Sequence, residues 1–308
     1  MTSQNPDIVI KYIKTKNKIR KIYTYSSDDC ELRKYHQKIY KFLEQRFVPS
    51  IFTKGYVKGR SIYQNAKSHM YNDYFIKLDI KDFFPHICHK QLIDKMYYEM
   101  NILEKDQISK LECINIIEKC SISNRGIPLG FITSPILSNI YLKEFDNIFY
   151  GKLKALELNN LVYTRYADDL TLSFKYNKAN KCIFLEDQII NIANELLKRY
   201  GLFLNKNKTH SYNLNISNHV RITGINISIL ENGKRKLTVG RSEKNFLYWQ
   251  AINCIRDKDK DKIKLVKGLQ SYILSVEKIG SEDCYSKNMK DKVKSFGYNT
   301  LKELIDNL

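Results

Sequence analysis

The segment Leu161–Phe174, LVYTRYADDLTLSF, constrains the fold more than any other stretch of the chain. Val162, Tyr163, Thr164 and Tyr166 before the acidic pair, and Leu170, Leu172 and Phe174 after it, are the β-branched, aromatic and aliphatic types that favour pleated structure. Asp168 and Asp169 interrupt them, so the segment reads as two short strands with two carboxylates at the tip of a hairpin. Adjacent negative charges repel and gain nothing from a sheet. They ask for a counter-charge, and a divalent cation is the natural one. An Asp-Asp pair taken alone is also simply a solvated turn.

A second feature favours the cation. About ninety residues upstream, Tyr74–Pro85 reads YFIKLDIKDFFP, an apolar strand ending in Asp79, with Asp82, Phe83 and Phe84 behind it. A strand-end carboxylate plus a hairpin-tip pair is a hard-oxygen donor set suited to Mg²⁺, which keeps open positions for phosphate oxygens. Two such ions, about 3.5–4 Å apart, stabilise the attacking and leaving oxygens of a phosphoryl transfer.

Tyr166-Ala167-Asp168-Asp169, with Asp79 upstream, resembles the palm motifs of reverse transcriptases, and the chain resembles the retron reverse transcriptases in particular. Asn65-Ala66-Lys67-Ser68-His69 matches their N-A-x-x-H pattern, and Arg221-Ile222-Thr223-Gly224 matches V-T-G with Ile for Val. Thr164-Arg165 and Leu170-Thr171-Leu172-Ser173, on either side of the acidic motif, follow the same form. The resemblance runs from about Arg20 to Val276. It implies an α+β right-hand polymerase with an antiparallel palm sheet and a helical thumb: fingers over 1–71 with part of 100–130, palm over 72–230, thumb over 231–308.

Composition agrees with that class. The chain has 308 residues, 43% of them hydrophobic, and a formal net charge of +19. A basic excess of this size suits a polyanionic partner. The first sixty residues carry 14 Lys and Arg against 5 Asp and Glu; a lysine-rich genome composition is the other reading of the excess. No apolar run long enough to span a membrane occurs and the first thirty residues lack a signal-peptide core, which points to the cytosol. Seven cysteines, without C-x-x-C or a His/Cys cluster, suggest neither a disulfide framework nor a zinc site.

Along the chain the pattern predicts a strand over Lys18–Tyr25 and a helix over Asp28–Phe47, capped by Asp28 or Asp29. It then predicts the Asp79 strand, helices over 89–100 and 106–120, a long helix from Ser134, the acidic hairpin, and a helix over 184–200. Strands over 202–213 and 220–229 follow, then helices over Asn245–Ile255 and Ile263–Val276, joined by the charged run Asp257–Lys262 as an exposed linker.

The resemblance assigns roles residue by residue. Asp79, Asp168 and Asp169 are the catalytic carboxylates, and the metal set is Asp79, Ile80, Asp168 and Asp169, holding two Mg²⁺ ions for which Mn²⁺ can substitute. Phe84, five residues past Asp79, has the spacing of the aromatic residue under the incoming sugar, where a ring would exclude a 2′-hydroxyl; a core phenylalanine is the alternative, better filled by Phe83. Gly126–Gly130 with Thr133-Ser134-Pro135 resembles the segment that cradles template and nucleotide, placing Leu129 and Gly130 at the nucleotide. Leu129 stands where many relatives of this family have Gln. Lys208 matches the lysine that faces the triphosphate, with Lys206 as its neighbour of equal chemistry. Arg20 resembles the fingers arginine that grips triphosphate oxygens, or is a plain surface arginine.

Asn65 and His69, four apart, share a face if helical, and the resemblance gives them, with Thr223, Gly224 and Arg241, to RNA binding. A capping Asn and a half-buried His are the alternative. Lys244, Lys264, Lys267, Tyr248 and Trp249 would track a duplex or fill the thumb core. The implied function is RNA-directed DNA synthesis on a cognate non-coding RNA, primed from a 2′-hydroxyl to give branched msDNA, with dNTPs as substrates. An anti-phage role with a separate effector protein, and RNase H activity from another chain, complete the picture. The alternatives are a group II intron-like or diversity-generating reverse transcriptase, and a non-catalytic RNA-binding scaffold that restrains an effector.

Overall fold

A computed structural model describes residues 6–14, 19–102, 106–175, 182–257, 259–277 and 282–308. Its contacts gather the chain into two compact units, Met1–Ser61 with Asn72–Tyr212, and Ile62–Tyr71 with Asn213–Leu308. Residues 62–71, grouped with the fingers on sequence, thus pack with the later part of the chain.

In the first unit, β1 (Ile8–Lys14) and β2 (Ile19–Tyr25) form an antiparallel hairpin. Lys18, the expected start of β2, lies outside the described residues, and β1 is an addition to the sequence reading. Helix α1 (Glu31–Arg46) starts later than expected, and its cap is not Asp28 or Asp29. Cys30 holds the N-cap position without a side-chain bond. The Leu32 N–H is instead taken by Asp7 Oδ2 at 2.9 Å, while Asp28 pairs with Arg33. A first-turn donor needs one acceptor, and it need not be local in sequence.

The chain leaves this unit for α2 (Ile62–Ser68) and returns with β3 (Tyr74–Asp79), α3 (Phe83–His86), α4 (His89–Asn101), α5 (Lys110–Lys119) and α6 (Ser134–Lys154). Helix α5 begins at Lys110, not at 106, because Ser109 and Glu112 close a capping box. Strands β4 (Val162–Tyr166) and β5 (Asp169–Phe174), helix α7 (Cys182–Arg199) and strand β6 (His210–Asn213) follow, with a 3₁₀ turn at Lys206–Lys208 ahead of β6. The sheet order is β4-β5-β3-β6. Leu78, Leu170 and Leu172 share one core with Leu137, Phe145 and Phe149 of α6 and Leu196 of α7. Each such burial contributes about 1.5–3 kcal/mol, which ties the register of the sheet to the helices behind it.

The second unit holds α2, α8 (Leu214–Ser217), the sheet β7 (His219–Ile222), β8 (Ile225–Ile229), β9 (Arg235–Thr238), and helices α9 (Arg241–Asp257), α10 (Lys260–Val276), α11 (Lys287–Lys294) and α12 (Leu301–Asp306). The strand expected over 220–229 folds back on itself at Thr223-Gly224. The described residues of Asp257–Lys262 are exposed, as expected, but are not a linker between helices. They are the facing ends of α9 and α10, with Asp259 capping α10 through the N–H groups of Asp261 and Lys262; residue 258 is outside the described set. Lys244 is buried and donates to Glu277 Oε2 at 2.7 Å, so it does not face a duplex. Tyr248 is core and Trp249 is half exposed. The chain as a whole is α+β, as expected.

Candidate active site

Register builds the site. Tyr166 pairs with Asp169 across β4 and β5, which leaves Ala167 and Asp168 as a two-residue hairpin loop. Asp169 in turn pairs with Asp79 across β5 and β3, so these two residues share one face of the sheet. The Ile80 N–H donates to the Asp168 carbonyl at 3.0 Å, tying the loop to the end of β3. Asp79 and Asp169, distant in sequence, and Asp168, in the β4–β5 loop just before β5, are thereby brought to one sheet end. Ala167 carries φ +56°, the positive value that a two-residue hairpin loop demands at its first position and that L-residues resist.

The charges there oppose one another. Burial raises Asp168's pKa, and the Asp79 charge raises it further. Asp169 is pushed up to about 6 by burial, then by Asp168 and Asp79. Lys208 answers part of this charge: its Nζ donates to Asp79 Oδ1 at 2.7 Å, and that bond raises the lysine. Of the two candidate lysines, the one on Asp79 is Lys208. Arg20 is exposed on β2, and its positive charge acts on both Asp168 and Tyr56.

Strand β2 reaches this region through the cradle segment. The Tyr23 N–H donates to the Leu129 carbonyl at 2.8 Å. Gly130 has φ +108°, and a Cβ there would overlap the Tyr23 carbonyl oxygen and stand 2.7 Å from Ile22 Cγ2. Only glycine allows this approach. Leu129 is half buried against the core, an apolar side chain with nothing to offer a sugar hydroxyl. Phe84 and Phe83 are 7% and 2% exposed, with ring centroids 5.3 Å apart, so both are core residues and Phe84 keeps only a sliver of surface. The Ile80 side chain is wholly buried; any part it takes in holding an ion is through its backbone.

Asn65, His69, Thr223, Gly224 and Arg241 belong to the second unit. Asn65 and His69 are 1% and 0% exposed, so neither side chain offers a surface to RNA. Asn65 Nδ2 donates to Thr223 Oγ1 at 3.2 Å. They are not the capping Asn and half-buried His of the alternative reading either: Asn65 lies inside α2 and His69 is fully buried. Thr223 (φ +44°) and Gly224 (φ +91°) form the two-residue turn between β7 and β8, are half buried, and keep an outward surface; Arg241 is exposed.

Two residues escaped the sequence reading. Tyr56, at φ +60°, has its ring centroid 6.0 Å from that of Tyr166. Arg165 is fully buried and pairs with Asp146 of α6, Nε to Oδ1 at 2.8 Å. A charged residue inside an otherwise apolar strand was the available signal for the second.

The donor set suits divalent ions: Asp168 and Asp169 are both raised by burial and neighbouring charge, and Asp79 is paired with the Lys208 ammonium. Among the described residues no three His, Cys, Asp or Glu side chains form a ready-made metal cage.

The sequence profile of the Reverse transcriptase (RNA-dependent DNA polymerase) family matches residues 12–242. The chain belongs to the reverse transcriptase family. It is 35% identical over 158 residues to the retron Ec73 reverse transcriptase of Escherichia coli, covering 46% of this chain and 49% of that protein. It is 26% identical over 266 residues to the retron Ec86 reverse transcriptase of the same organism, covering 86% and 75%. The aligned stretch thus spans about half of the Ec73 enzyme. Among solved structures, apo telomerase from Candida tropicalis, truncated of its C-terminal domain, superposes with a TM-score of 0.50 at 17% identity, over 77% of this chain and 56% of that one. That likeness is one of fold, the reverse transcriptase fold. Among the described residues, no helix is long and apolar enough to cross a membrane.

Proposed function

We propose that this reverse transcriptase is an RNA-directed DNA polymerase of retron type, which copies a cognate non-coding RNA from a 2′-hydroxyl primer into branched msDNA. The observation that carries the reading is the strand register that sets Asp79 opposite Asp169, with Asp168 in the β4–β5 loop immediately before it. Asp79, Asp168 and Asp169 would hold a pair of divalent ions, Mg²⁺ by donor hardness, which when bound supply charge neutralisation at the phosphates. Lys208, bonded to Asp79, would face the triphosphate, and Arg20 would add a planar guanidinium to it. Phe84 limits the room beneath the sugar and so favours dNTPs. The net charge of +19 suits the RNA template and the hybrid product. Fingers, palm and thumb over 1–71, 72–230 and 231–308, a cytosolic setting, an effector encoded apart and RNase H from elsewhere complete the proposal.

The test is nucleic acid extracted from the purified protein and treated with RNase. A short DNA that keeps a branched nucleotide is expected, and its absence from an Asp168→Asn variant ties it to the site. RNA alone in both preparations would refute polymerase function and leave a scaffold.

A further inference from the structure

We infer that Arg165 and Asp146 are positioning residues for the acidic hairpin, with α6 acting through a buried guanidinium to fix where Asp168 stands; this rests on the nucleotidyl-transfer reading of that hairpin. Both side chains are 0% exposed. Arg165 Nε and Nη2 donate to Asp146 Oδ1 and Oδ2 at 2.8 and 2.9 Å. Nη2 also donates to Thr53 Oγ1 at 2.7 Å, and Nη1 to Asn139 Oδ1 and the Ala167 carbonyl, each at 3.2 Å. The five N–H bonds of a guanidinium all find acceptors here. Asp146 is equally well satisfied, taking in addition the hydroxyls of Thr53 at 3.0 Å and Tyr163 at 2.8 Å.

A buried ion pair of this kind is a poor route to stability, because desolvating both charges offsets much of their attraction and an apolar set of the same volume often does as well. Its use lies in direction. One of the five bonds ends on Ala167, the residue held at φ +56° immediately before Asp168. From the other side the Ile80 N–H holds the Asp168 carbonyl. Both peptides that flank the Asp168 side chain are therefore pinned, one to α6 and one to β3.

The same cluster seats the segment beneath. The Arg165 N–H donates to the Phe52 carbonyl and the Lys54 N–H to the Arg165 carbonyl, at 2.9 and 2.7 Å. Asn139 Nδ2 holds the Gly55 carbonyl at 3.0 Å. A Cβ on Gly55 would stand 3.0 Å from the Ala167 nitrogen, so a side chain there would push the hairpin loop aside. Lysine at position 165 would keep the charge against Asp146 but has three donors from one point, not five in a planar fork. It cannot serve Asp146, Thr53, Asn139 and Ala167 together.

The test is Mn²⁺ binding to the nucleic-acid-free full chain, read by electron paramagnetic resonance, with thermal melting alongside and primer-extension kinetics on the active enzyme. Arg165→Lys is expected to raise the Mn²⁺ dissociation constant about tenfold and lower kcat about tenfold, with KM for dNTP within twofold. Ala167→Gly tolerates the positive φ at no steric cost but loosens the loop. It is expected to melt no lower than the parent while binding Mn²⁺ several-fold more weakly, a separation that a purely structural role would not produce. A folded Arg165→Lys with the parent's Mn²⁺ constant overturns the inference; if that variant does not fold, an unchanged constant in Ala167→Gly overturns it. Parent protein that binds no Mn²⁺, or an Asp168→Asn variant that binds it as the parent does, refutes the reading of the acidic site itself and the inference with it.

Discussion

Replacing Gly130 with alanine probes how the fingers hairpin is coupled to the nucleotide cradle. At φ +108° the backbone lies where side chains cost about 1–3 kcal/mol. The added methyl overlaps the Tyr23 carbonyl and crowds Ile22, so β2 must retreat and the 2.8 Å bond from Tyr23 to Leu129 breaks, costing about 1 kcal/mol more. The total, about 2–4 kcal/mol, falls on the docking of β1–β2 and not on the core behind the palm sheet. Gly130→Ala should therefore lose hydrogen-exchange protection at the Tyr23 amide, while the amides of β3 and β5 keep theirs. Arg20 rides on the same strand, so KM for dNTP should rise about fivefold or more with kcat within threefold. An unchanged KM, or loss of protection spread evenly over the palm sheet, would refute this coupling.

Asp169→Asn tests the charge conflict. A carboxyl raised to about 6 holds its proton more tightly folded than unfolded, so the stability it contributes is full below about pH 4 and lost as pH climbs through about 6. In ion-free buffer the variant should gain roughly 1–2 kcal/mol over the parent at pH 7.5, after screening, and nothing at pH 4, by urea midpoints. Thr223→Val keeps the β-branched shape at φ +44° but deprives the buried Asn65 amide of its hydroxyl. A loss of about 1–3 kcal/mol is expected in the same assay. Phe84→Ala should admit ribonucleotides in primer extension at a stability cost of about 3 kcal/mol or more; undiminished exclusion of rNTPs would retire the steric role.

The acidic hairpin was legible because strand-favouring residue types flank the carboxylate pair on both sides; the register that sets Asp79 opposite Asp169 was not, since alternation along one strand does not say which residue of another it faces. Contacts made across long sequence separations left no such trace. Asp7 serving the first turn of α1 spans 25 residues, and Asp146 meeting Arg165 joins a helix to a strand. The resemblance gave Asn65 and His69 to RNA binding, and their spacing gives a shared face without saying which way that face points. The structure turns it inward. Gly130 suggested close backbone approach, but its partner, Tyr23, is fixed only by the path of a hairpin whose first strand has no strong pattern of its own.

The two arginines near the hairpin divide the electrostatic labour. Arg165 holds the carbonyl of Ala167, the residue before Asp168, and carries a positive charge, yet Asp146 takes that charge up through two bonds, and the remaining donors go to neutral acceptors. Its charge is spent locally while its geometry reaches the loop. Arg20 and Lys208 are exposed and act on Asp168 at longer range, where water screens them and where a phosphate could claim them instead. A buried acid on α6 therefore takes up the charge of a guanidinium whose remaining donors are free to hold the loop.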